Sequence, residues 1–304
     1  MLRALLELSR VSNLPTVWTN VLAAWIIASG SDWRWTPALG WLLLGASLIY
    51  SAGMILNDAC DAVWDRDHRP ERPIPSGRIR LRMVWIIGLT WLLGGAATMI
   101  LLGGASWLMT LLLLGAIVAY DVYHKPWAGS VIVMGACRTL LYLAVGSAHR
   151  SGAGIAFFVE SQEAVPWMLR NSGVLLGLYI ISLSLVARSE SKGVVGRISR
   201  YLAQAFWALP IVWSILLFIP ASKGIHPPVI WLWLPIGCYV GWLLFSVRQL
   251  RVGPRGIGTA VGCLLAGIPL VDALMISSKS PLTAAFLCCL PPLLRCWQRW
   301  VTAT

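Results

Sequence analysis

The sequence predicts an all-α fold, a polytopic transmembrane bundle of nine or ten membrane-embedded helices. The first observation is composition: 58% of the 304 residues are hydrophobic and 12% are charged, with a mean hydropathy of +0.75. An ordinary soluble domain is about 45–50% apolar and about a quarter charged, which excludes a water-soluble globular enzyme. The second is length, because a hydrocarbon core roughly 30 Å thick needs about 20 apolar residues per helical crossing. A chain of this size has room for many crossings and little else, so residues 1–304 are expected to form a single membrane-embedded domain. The third is continuity: the apolar runs show no period of two, so a barrel of alternating strands is excluded.

Charge-poor runs at 14–29, 37–57, 83–102, 106–120, 127–146, 171–187, 201–220, 228–247, 256–276 and 282–294 mark the spans. Arg3, Glu7 and Arg10 precede the first run and no small-residue cleavage site follows them, so it reads as a retained span. Residues 83–120 carry no charge and are too long for one crossing, and Gly103-Gly104 supplies a tight turn between two helices. The last two runs are short and Asp272 interrupts the ninth, which leaves an interfacial helix as the alternative to a tenth span.

Orientation follows from Lys and Arg on alternate sides of the ten runs. The N-terminal side carries 18, including six arginines from Arg66 to Arg82, whereas the other side carries five and Arg138 lies inside a span. This places the N-terminus on the cytoplasmic side, in what is expected to be the cytoplasmic membrane. The same rule accounts for the net charge of +12 without nucleic acid. Seven cysteines lie mostly inside apolar runs with no C-x-x-C pair, and read as small packing residues.

The scarce acids are clustered. Of twelve carboxylates, Asp58, Asp61, Asp65, Asp67 and Glu71 fall within fourteen residues at the end of the second run. At 100° per residue, Asp58, Asp61 and Asp65 share a narrow helix face and Asp67 points away. Three carboxylates on one face repel unless a cation lies among them, and oxygen-only ligands suit Mg²⁺, which typically also takes water and substrate phosphates. A solvated acidic helix end is the alternative. Next comes R-P-E-R-P-I-P-S-G-R at 69–78, where three prolines and a glycine make a compact loop. Its arginines, Arg72 among them, offer planar forks for phosphate oxygens. Acids beside basic forks imply a metal-bridged anion.

The string N-D-x-x-D-x-x-x-D at 57–65, beginning at Asn57, followed by that loop, resembles the first signature of the UbiA superfamily of intramembrane prenyltransferases. The resemblance implies a bundle of about nine helices, Mg²⁺ as cofactor, a prenyl diphosphate as donor and an aromatic or lipid-like acceptor. It makes Asp58, Asp61 and Asp65 metal ligands and catalytic residues. Arg10, Asn13 and Asn20 resemble the family's R-P-x-N stretch, although an interhelical hydrogen bond explains Asn20 equally well. Tyr120, Asp121 and Lys125 in Y-D-V-Y-H-K resemble the family's Tyr and Lys pair near the diphosphate, with Lys125 catalytic and Asp121 a candidate proton acceptor. An interfacial aromatic anchor is the alternative for Tyr120.

The family's second aspartate set is reduced here to Glu190, expected as a further metal and substrate ligand. Arg188 or Lys192 is expected to supply fixed positive charge beside it. This reduction is similar to the EboC-like branch of the superfamily. Arg138 is costly at mid-span, so it is expected to face the bundle interior, as a substrate contact or as a structural partner of Asp272. His68, His124, His149 and His226 show no metal-like spacing.

Two rivals belong to other classes. A CDP-alcohol phosphotransferase would need a D-G-x-x-A-R run, which is absent. A non-enzymatic carrier or flippase of a lipid-like metabolite would keep the first acidic helix end and lose the second.

Overall fold

The computed structural model describes residues 2–30, 32–125, 127, 129–149, 164–190, 195–218, 230–250 and 254–300, and regular structure there is helical. A short α1 (Leu2–Leu8) leads through a 3₁₀ turn, Val11–Asn13, into α2 (Leu14–Ser29) and α3 (Pro37–Cys60). Then come α4 (Ala62–His68), α5 (Leu81–Ala97), α6 (Trp107–Tyr123) and α7 (Ser130–Ser147). The second half holds α8 (Ala164–Ala187), α9 (Arg197–Phe218), α10 (Ile230–Gln249), α11 (Pro254–Ala266) and α12 (Ile268–Ile276), followed by α13 (Pro281–Cys288) and α14 (Leu290–Trp300). Among the described residues eight helical stretches are long and apolar enough to cross a membrane, and α6, at 17 residues, is a shorter apolar helix. The chain is an integral, multi-pass membrane protein.

Local chemistry explains the ends that matter. Pro37 starts α3, and Thr36 Oγ1 accepts from the Leu39 N–H at 3.4 Å, occupying one of the helix's otherwise unpaired donors. After α5 the chain passes through a π turn, Thr98–Leu102, and reverses at Gly104, whose φ of +74° favours glycine. The hairpin expected at Gly103-Gly104 is therefore present. Helices α3 and α5 pack backbone to backbone: a Cβ added to Gly95 would stand 2.8 Å from the Gly45 carbonyl oxygen.

The ninth run is one crossing, Gly256–Ile276, formed by α11 and α12 joined at Gly267 and mostly enclosed by other helices. The run expected at 282–294 is divided at Cys289 into α13 and α14, of eight and 11 residues. Pro291 and Pro292 at the start of α14 remove amide donors from any continuous ladder, and neither piece has the length of a crossing. All seven cysteines are free.

A second core anchors the site. Ala4 and Leu8 of α1, Ile55 and Ala59 of α3, Ile74 and Ile79 of the proline-rich loop and Val84 of α5 are buried together. Apolar contact thereby clamps the loop over the end of α3. Arg78 adds a fork to Glu7, at 2.8 and 3.2 Å, and a bond to the Glu71 carbonyl at 2.8 Å.

Candidate active site at the end of the third helix

The aspartates sit where α3 ends. Asp61 closes α3 and precedes α4, and the turn keeps helical hydrogen bonds, Asp61 N–H to Asn57 O at 3.0 Å and Asp65 N–H to Asp61 O at 2.9 Å. Asp58, Asp61 and Asp65 are buried to 7, 8 and 1% exposure. Carboxylates held this dry repel one another strongly, and side chains from elsewhere in the chain separate them. Arg72 Nη1 lies between Asp58 Oδ1 at 3.2 Å and Asp65 Oδ2 at 2.9 Å. Asp61 faces the other way and accepts from Lys125 Nζ at 2.7 Å, with His124 Nε2 at 3.4 Å.

The common face expected for the three aspartates is thus split between two cationic groups. Among the described residues no three His, Cys, Asp or Glu side chains already converge as a metal site. The donor set still fits a hard divalent cation: all candidate ligands are carboxylate oxygens, and Asp65 Oδ1 is buried with no hydrogen-bond partner.

Electrostatics follow the pairs. Burial works against the Asp61 carboxylate, but hydrogen bonds from His124 and Lys125 outweigh it and hold the group below its ordinary range. The reciprocal bond to Asp61 lifts His124 above its usual value against the opposing effect of burial. Lys125 also lies 4.0 Å from the Trp64 ring centroid, which holds its ammonium over an aromatic face. His124, in turn, stacks with Tyr120 at 5.2 Å.

Beside Asp58 a polar cavity of about 240 Å³ is lined by Glu7, Arg10, Arg69, Glu71, Arg72 and Pro73 as well. Arg10 has φ 45°, the left-handed region that costs a side-chain-bearing residue energy, and its Nη2 reaches 3.9 Å from Asp58. The geometry therefore holds three arginines and three acids, Glu7, Asp58 and Glu71, around one polar cavity at the end of α3.

A second, apolar cavity of about 90 Å³ lies deeper, lined by Tyr50, Ile117, Met134, Tyr120, Asp121 and Arg138 among others. Asn57 links the two regions: it neighbours Asp58 in sequence and donates to Asp121 Oδ1 at 3.2 Å. At the far wall Arg138 donates to Asn20 Oδ1 at 2.7 Å and Thr16 Oγ1 at 3.3 Å. Asn20 donates to Asp272 Oδ2 at 2.8 Å, and Tyr142 donates to Asp272 Oδ1. The pairing anticipated for Arg138 and Asp272 is therefore relayed through Asn20, which satisfies three costly polar groups inside the bundle.

Other expected residues lie apart. Arg188 Nη2 donates to the His124 and Trp127 carbonyls and to Ser130 Oγ, at 2.7, 3.0 and 2.7 Å, holding the connection between α6 and α7. Glu190 is exposed and lies against Gly258 of α11 rather than among the aspartates, and Lys192 falls outside the described residues. Sequence reasoning passed over His124 because it has no metal-like spacing; its place beside Lys125 was the available signal.

Residues 16–189 match the UbiA prenyltransferase family. The digeranylgeranylglyceryl phosphate synthase of Sulfurisphaera tokodaii is 29% identical over 195 residues, 63% of either chain. The 4-hydroxybenzoate octaprenyltransferase of Burkholderia ambifaria is 38% identical over 72 residues, 23% of this chain and 24% of that one. These alignments span less than two thirds of the relatives' own lengths. An apo UbiA homolog from Aeropyrum pernix K1 superposes with a TM-score of 0.62 at 14% identity, covering 88% of this chain and 96% of that one. A solved digeranylgeranylglyceryl phosphate synthase gives 0.59 at 18% identity, covering 91% and 98%. At such identities the likeness is one of fold.

Proposed function

Because the chain belongs to the UbiA prenyltransferase family, we propose that it transfers a prenyl group from a prenyl diphosphate to an aromatic or lipid-precursor acceptor inside a membrane. The observation that carries this reading is the adjacency of the two cavities. A cluster of Asp58, Arg10, Arg69 and Arg72 lies at the end of α3, and Asn57 connects it to an apolar chamber within the bundle.

Asp58, Asp61 and Asp65 would hold Mg²⁺. When bound, the ion supplies positive charge to the diphosphate as the allylic C–O bond lengthens. Arg10, Arg72 and Lys125 add fixed cations for the same phosphate oxygens, in a site whose burial strengthens each contact. Asn57 holds Asp121 at the junction, while Tyr120 stacks beneath His124 and walls the chamber. The apolar lining shields the developing carbocation from water. The eighteen-to-five Lys and Arg asymmetry supports a cytoplasmic N-terminus and a cytoplasmic phosphate site.

Arg188 and Glu190 have lesser parts in this reading. Arg188 fixes the chain segment that bears His124 and Lys125, and Glu190, which lies against Gly258 of α11, is assigned no contact with the phosphate. The separation of Glu190 from the aspartates favours a second reading, a carrier of a lipid-like metabolite on the same fold.

The test is Mg²⁺-dependent binding of a non-hydrolysable prenyl diphosphate analogue to full-length protein in nanodiscs, wild type against Asp61→Asn and Glu190→Gln. Binding that needs both magnesium and Asp61, and survives in Glu190→Gln, is expected. If neither magnesium nor Asp61 matters, the transferase reading fails and the carrier takes its place.

A further inference from the structure

Both ends of the apolar chamber carry charged side chains, and their partners differ. Arg138 lines it, yet its two terminal nitrogens are committed to Asn20 and Thr16, and the charge behind Asn20 is the Asp272 carboxylate. Two of the five guanidinium N–H groups are used in this way, and a cation already balanced by a nearby carboxylate attracts an anionic ligand less than an unbalanced one does. At the opposite end Asp121 is 5% exposed and its Oδ1 is held by Asn57. Its Oδ2, by contrast, is buried with no partner. An unsatisfied acceptor on a dry wall is costly, and a ligand hydrogen-bond donor would satisfy it. The remaining lining is apolar and aromatic, including Tyr50, Ile117 and Met134.

We infer that this chamber takes an uncharged, largely apolar acceptor that presents one O–H or N–H to Asp121, and that it discriminates against acceptors carrying a carboxylate or phosphate. The inference rests on the transferase reading and names its substrate class. Asp272 is then a positioning residue: it lies beyond the family-matched stretch, and by neutralising Arg138 through Asn20 it sets the charge class of the ligand. In the transfer step the allylic C–O bond breaks and its electron pair leaves with the diphosphate. The acceptor heteroatom forms the new bond to the allylic carbon, and its proton passes to Asp121 Oδ2.

The experiment uses full-length protein in nanodiscs with three radiolabelled probes on one skeleton: 4-tert-butylphenol, 4-tert-butylbenzoate and 4-tert-butylanisole. Retention by empty nanodiscs is subtracted, and Mg²⁺-dependent binding of the prenyl diphosphate analogue is measured on the same preparation. Wild type is expected to bind the phenol at least about tenfold more tightly than either other probe, because the anion meets a cation whose charge Asp272 already balances and the ether lacks a donor. Asp121→Asn should narrow the gap between phenol and anisole. Asp272→Asn, which leaves Arg138 uncompensated, should raise benzoate affinity about tenfold while moving phenol affinity less, a reversal that mere loosening of the bundle would not produce. Benzoate binding equal to or tighter than phenol in wild type overturns the inference without recourse to any variant, as does binding of none of the three. If the diphosphate analogue still binds, only the acceptor class has failed; if it does not, the transferase reading has failed with it.

Discussion

Asp65, the most buried of the clustered aspartates, is bound by Arg72 at 2.9 Å, and the same guanidinium nitrogen lies 3.2 Å from Asp58. The proline-rich loop therefore does more than carry positive charge: it delivers a cation into the gap between two carboxylates. Arg72→Ala is expected to destabilise metal-free protein by about 3 kcal/mol, since removing one partner leaves buried charge uncompensated. Thermal unfolding should show magnesium raising the Tm of the variant more than that of wild type. Equal magnesium shifts would argue against a metal held by these aspartates.

The Asp61 and His124 pair makes stability depend on pH from both sides. In metal-free protein the Asp61 contribution is fully present above its ordinary value of 3.8 and is lost as pH falls through its lowered native value. The His124 contribution is fully present below 6.5 and is lost as pH rises through its raised native value. Thermal stability is therefore expected to peak between these limits, with a flatter profile in Asp61→Asn. A variant profile parallel to wild type would show that the pair is not coupled.

Arg10 predicts a conflict between stability and binding. At φ 45° glycine is at ease and alanine is not, so Arg10→Gly should be more stable than Arg10→Ala by about 1 kcal/mol. Both variants should bind the prenyl diphosphate analogue more weakly than wild type, because both remove a cation from the cavity beside Asp58. If Arg10→Ala proved the more stable, the left-handed backbone at this residue would be refuted.

The buried relay predicts non-additivity. Arg138→Met and Asp272→Leu should each cost about 3–5 kcal/mol by stranding the other charge inside the bundle, whereas the double variant should cost clearly less than their sum. Guanidinium-free thermal unfolding of the four proteins in one detergent measures the cycle. Additive losses would mean that Asn20 does not couple the two charges.

Much was legible along the chain because it depends on neighbours in sequence. Apolar run length set the spans, Gly103-Gly104 set the hairpin, and the spacing of Asp58, Asp61 and Asp65 marked the candidate site, since hydrophobic transfer and helix periodicity act locally. Partnership was not legible in the same way. Asp61 meets His124 and Lys125 from the turn after α6, Asn20 meets Asp272 across 252 residues, and Glu190 stands apart from the aspartates it was expected to join. Helix order in the bundle decides those contacts, and it arises from packing of whole apolar faces, which no short motif encodes. By itself the sequence determined that this protein is a multi-span helical membrane protein with an acidic and basic centre after its second run. Tertiary structure alone decided which cation answers each carboxylate, because desolvated charges find their partners only once distant helices have closed around them.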